Sequence, residues 1–140
     1  MGMEFGFAAV PFGKDGYINE LFKDEDEPDV NNRKEDVVFL DTKGEDGFSI
    51  GCLGLNISGV REMNEMTKGA FLELCEGDEN QRYILLEPRK QHLARLCEML
   101  SNLPEDIGWQ KGLKKLLACL LDNANACLTE HGARAAMRIY

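Results

Sequence analysis

The residues most able to do chemistry are the titratable ones: 25 acids, two histidines and five cysteines, distributed along 140 residues. The acids are the most concentrated. Asp24, Glu25, Asp26 and Glu27 are consecutive, Asp29 follows across Pro28, and Glu35 and Asp36 close the run. A loop reading for calcium starting at Asp24 puts Asp26 at its third position and Glu35 at its twelfth. Pro28 then falls at the fifth, and Asp29 takes the sixth, where the sharp turn demands glycine. Calcium coordination is therefore disfavoured, and charge on charge is the better reading of the run.

Histidine and cysteine spacings are uninformative for metals. His92 lies five residues before Cys97, His131 has no ligand-spaced neighbour, and neither C-x-x-C nor H-E-x-x-H occurs. His92 suits a polar helical face, and His131 suits a helix C-terminus, where a cation complements the dipole. Nucleophiles are no better placed. Ser49, Ser58 and Ser101 lie outside any G-x-S-x-G elbow, and four cysteines sit in apolar stripes where a thiol packs as a small hydrophobe. Gly54 to Gly59 has the spacing of a phosphate loop, but Val60-Arg61 stands where Lys-Ser/Thr is needed, so those glycines read as packing residues. No cofactor, metal or catalytic residue is expected, and the chain reads as a binding protein rather than an enzyme.

Charge location is more informative than any motif. The formal net charge is −9, and residues 15 to 46 carry 12 acids against 4 bases, leaving 13 against 12 elsewhere. That balance argues against a nucleic-acid partner, whose phosphates call for a basic face. It equally suits a solubilising loop and an acidic surface for a basic protein partner, which steers association and discriminates among partners. Lys111, Lys114 and Lys115 form a small basic face nearby in the helical pattern, and Trp109 is the best aromatic anchor. The expected partner-binding residues are Asp24, Glu25, Asp26, Glu27, Asp29, Glu35, Asp36 and Trp109.

These residues must be positioned by a fold, and the length sets its scale. A chain of 15.7 kDa with 44% hydrophobic residues is expected to form one domain, residues 1–140, with a solvated acidic loop at 23–36. Glu4 to Val10 reads as a strand, with Phe5, Phe7 and Ala9 on one face. A short amphipathic segment holds Ile18, Leu21 and Phe22. Val37 to Leu40 is apolar and β-rich, Thr42 to Gly47 has turn chemistry, and Phe48 to Ile57 is its expected hairpin partner. Val60, Met63, Thr67, Ala70, Phe71 and Leu74 predict one helix reaching Gly77. Gln81 to Leu86 predicts a strand, and Pro88 a helix start carrying Leu93, Leu96, Cys97, Leu100 and Leu103.

The strongest pattern runs from Trp109 through Leu113, Leu116, Leu117, Leu120, Leu121 and Ala124 to Leu128, with Gly132 as its stop. The periodicity of residues 133–140 fits a strand and a helical tail equally. Strands first and helices later predict an α+β fold: a small, mostly antiparallel sheet from the N-terminal half, covered by C-terminal helices. An odd cysteine count precludes a complete internal disulfide set, and the sequence has no secretory pattern and no apolar run of membrane length, so a cytoplasmic protein is expected.

In size, acidity and lack of catalytic motifs the whole chain is similar to bacterial immunity proteins that neutralise toxins, and to phage-encoded inhibitors that mimic nucleic acid. The likeness is one of bulk properties and rests on no motif. It implies an inhibitor or antidote that covers the active site of a basic partner such as a toxin or nuclease. A small-molecule-binding domain or enzyme with a pocket between sheet and helices is the alternative, and a homo-oligomer built through the C-terminal helix is a third.

Overall fold

The computed structural model describes residues 3–10, 38–44, 49–50, 53–75, 83–103 and 110–139. Within them the chain forms β1 (Met3–Ala9), β2 (Val38–Leu40), β3 (Thr42–Lys43), β4 (Ser49–Ile50), β5 (Leu53–Leu55), α1 (Ile57–Met66) and α2 (Ala70–Cys75). There follow β6 (Tyr83–Leu85), α3 (Lys90–Ser101), α4 (Gln110–His131) and β7 (Ala135–Ile139). The fold is α+β. The expected acidic loop at 23–36, the segment with Ile18, Leu21 and Phe22, and Cys52 lie outside the described residues.

β1 organises the sheet. On one edge it pairs antiparallel with β2 beside Phe7 to Ala9 and with β5 beside Met3 to Phe5. On the other edge it pairs with β7, and β6 pairs beyond β7. The main sheet thus joins strands from both ends of the chain, with β6 and β7 contributed by the second half. Phe5 and Phe7 face the helices together with Met137 and Ile84, as alternation along registered strands requires. Gly6 and Ala8 on the opposite face are buried too, so β1 is hidden on both sides from Phe5 onward, while Glu4 is exposed.

Two pairings differ from the sequence reading. Val38–Leu40 pairs with β1 rather than with residues 48–57, and the hairpin is the shorter β3–β4 pair. Leu53–Leu55 also joins β1, because Leu53 and Leu55 need the core that Phe5 and Met3 border. The single helix expected up to Gly77 is two helices. Thr67 turns its hydroxyl onto the Met63 carbonyl at 2.9 Å and accepts from the Phe71 amide at 3.0 Å, so one side chain bonds both the end of α1 and the start of α2. Lys68 and Gly69 then take positive φ, 52° and 88°, which reverses the chain.

The other helices follow their sequence signals. Pro88 lies in a 3-10 turn, Glu87–Arg89, that leads into α3, and Gly132 ends α4 at φ 55°. α4 has 22 residues, which corresponds to about 33 Å at the usual rise. Its inner face, Leu117, Leu120, Leu121 and Ala124, is fully buried against a core that includes Met63, Phe71, Leu93 and Leu96. Phe5 and Phe71 meet edge to face, their centroids 5.8 Å apart. Residues 135–139, undecided from periodicity, form the strand between β1 and β6. The Val10 amide bonds the Arg134 carbonyl at 2.8 Å, and Arg134 Nε returns a bond to the Val10 carbonyl at 3.0 Å, fastening the two ends of the chain.

Glycine positions discriminate packing from propensity. Gly59 is buried in α1, and an added Cβ would lie 3.0 Å from Leu55 Cδ2 and 3.2 Å from Asn56 Oδ1. Asn56 caps α1 by accepting from the Gly59 amide at 2.7 Å, an interaction worth about 1 kcal/mol. Gly112, exposed on α4, has nothing within 4 Å of the same position. Replacing an interior helical Gly by Ala gains about 0.5–1 kcal/mol where space allows. Gly112→Ala should therefore raise the urea midpoint, while Gly59→Ala should lower it by the equivalent of about 1 kcal/mol, with the same m-value for both. Equal shifts of one sign would refute the packing role of Gly59.

Candidate functional site

Between α4 and the segment that runs from β2 into β3 lies a groove with two lobes. The larger, about 450 Å³, is bordered by Lys43, Lys115, Cys119 and Asp122. The smaller, about 280 Å³, is bordered by Leu40, Asp41, Cys127 and Glu130. Lys43, Asn123 and Ala126 border both. On α4 the groove residues recur every three or four positions, Lys115, Cys119, Asp122, Ala126 and Glu130, so one helix face supplies the floor.

Asn123 builds the wall. The Lys43 amide donates to Asn123 Oδ1 at 2.9 Å, and Asn123 Nδ2 donates to the Lys43 carbonyl at 2.8 Å and to the Cys119 carbonyl at 2.7 Å. One side-chain amide thus satisfies both backbone groups of Lys43, as a neighbouring strand would, and only one orientation of the amide does so. The β3–β4 hairpin is tied to α4 through this contact. The charges around the groove are mixed: Lys43 and Lys115 with Asp122 in one lobe, Lys43 with Asp41 and Glu130 in the other. Such a lining selects for no single sign of ligand charge.

The thiols are held as packing groups. Burial pushes the Cys75 thiol up to about 12, against the opposing pull of Arg89. Burial likewise raises Cys127, with the Glu130 carboxylate adding to it and backbone bonds at Ala136 and Ala8 pulling the other way. Cys127 Sγ lies 3.7 Å from the Ala8 carbonyl, between α4 and β1. A thiol kept protonated is a poor nucleophile. Cys97 is half-buried, with the Asn125 amide 3.6 Å from its sulfur.

The basic face read from the sequence divides by role. Lys114 Nζ donates to the Leu103 carbonyl at 3.1 Å, beyond the end of α3, while Lys115 borders the groove. Arg89 similarly donates to the Glu73 and Leu74 carbonyls at the end of α2, where a cation complements the helix dipole. His131 occupies the last turn of α4, its Nε2 3.9 Å from the Glu130 carboxylate. Asp24, Glu25, Asp26, Glu27, Asp29, Glu35, Asp36 and Trp109 all lie outside the described residues. Sequence reasoning missed the groove and Asn123. The available signal was the polar pair Asp122-Asn123 interrupting the apolar run that ends at Leu121.

Among the described residues, no group of three or more His, Cys, Asp or Glu side chains is placed to hold a metal, and no helix is long and apolar enough to cross a membrane. No protein-family model, curated protein or solved structure matches the chain.

Two measurements test these roles. Asn123→Ala removes both bonds to Lys43 at a cost of about 1 kcal/mol, since the contact is solvent-accessible. Exchange of the Lys43 amide should speed up by roughly tenfold with that of Ile84 unchanged, and an unchanged Lys43 rate would show that the amide holds nothing. The Cys75 thiol gives a pH signature. Its folded value lies above the ordinary 9.0, so its contribution is complete below pH 9 and is lost as pH rises towards 12. The stability difference between wild type and Cys75→Ala should therefore narrow across pH 9–12, by up to about 1.4 kcal/mol per pH unit. A constant difference would show that the thiol titrates normally.

Proposed function

We propose that this chain is a protein-binding module that acts as an inhibitor or antidote of the immunity type. Its acidic segment engages Lys and Arg of a basic partner, such as a toxin or nuclease, and covers that partner's active site. The observation carrying the reading is the segregation of charge. Residues 15 to 46 hold twelve acids against four bases, a net of −8, while the rest of the chain holds thirteen against twelve, so nearly all of the acidic excess lies in one segment. Acids concentrated in this way suit a recognition surface, where complementary charge raises the association rate and penalises wrong partners. Asp24, Glu25, Asp26, Glu27 and Asp29 form its centre, with Glu35 and Asp36 beside them and Trp109 as the aromatic anchor. Charge-assisted bonds to Arg and Lys supply the contacts.

A second reading is favoured by the groove along α4. A cavity of about 450 Å³ falls within the size range of small-molecule sites, and its lining offers both charges and small apolar groups. It is the site at which a small-molecule-binding domain would hold its ligand.

Affinity capture from the native host at low and at physiological salt separates the two readings. Wild type should recover a basic protein at low salt and less of it as salt rises. A variant with Asp24, Asp26 and Asp29 changed to Asn, and Glu25 and Glu27 to Gln, should lose at least about tenfold in association rate while unfolding at the same denaturant concentration. Recovery of the same partner by both proteins, or of none by wild type, would overturn the binding-module reading.

A further inference from the structure

We draw no further inference here: the strongest candidate, the groove between α4 and β3, carries nothing beyond the site already described, because its central amide on Asn123 is already bonded to the Lys43 backbone, its charges are of mixed sign, and nothing in the structure shows what covers it.

Discussion

The pairing of β1 with β7 is the constraint on which the rest of the structure depends. It joins Phe5 to Ile139, Phe7 to Met137 and Ala9 to Ala135, residues separated by most of the chain. Closing so long a loop is costly, but the cost rises only slowly with length. Once the two strands are paired, Phe5, Phe7 and Met137 present one continuous apolar surface, and α4, which enters β7 through Gly132, is placed directly over it. From Phe5 to Ala9 both edges of β1 are occupied and both faces buried, so this stretch has no solvent-facing side from which to tolerate a change of register. A slip of one residue would carry the two phenylalanines onto the face of Gly6 and Ala8.

The helical layer follows from that placement. α4 buries Leu117, Leu120, Leu121 and Ala124 while leaving Lys115, Asp122 and Glu130 outside, and α1 and α3 pack on its flanks. Gly59 allows α1 to approach: an added Cβ there would lie 3.6 Å from Leu113 Cδ2 as well as against Leu55. Arg89 bonds the orphan carbonyls that end α2, and Lys114 bonds the Leu103 carbonyl just past α3, so the end of each helix helps fix the position of the next. Tertiary packing and helix capping are here the same set of contacts.

How legible the fold was in the sequence depended on the range of the interaction involved. α4 could be read because eight apolar positions repeat at one period, and its stop because Gly132 needs no Cβ at positive φ. β6 and the Pro88 turn are likewise local. The break between α1 and α2 was hidden because Thr67 sits on the apolar stripe and is buried there, yet spends its hydroxyl on backbone. Strand partners were hidden for a different reason. Val38–Leu40 has the composition of a hairpin arm, and only the open edge of β1, formed elsewhere, decides where it pairs. Residues 135–139 (AAMRI) are too short for one period to win, and burial between two strands settles them. Asn123 was illegible for a related reason, since nothing local identifies the backbone 80 positions away that it will hold.

Charge separates what the fold requires from what it carries. Outside residues 15 to 46 the chain is close to electrical balance, with thirteen acids against twelve bases. Two ion pairs among the described residues are minor. Arg95–Glu73 at 3.3 Å and Lys90–Glu87 at 3.6 Å join well-exposed side chains, for which contributions below about 1 kcal/mol are usual. Stability therefore rests on the apolar core and on the uncharged or single-cation contacts that cap and tie its elements.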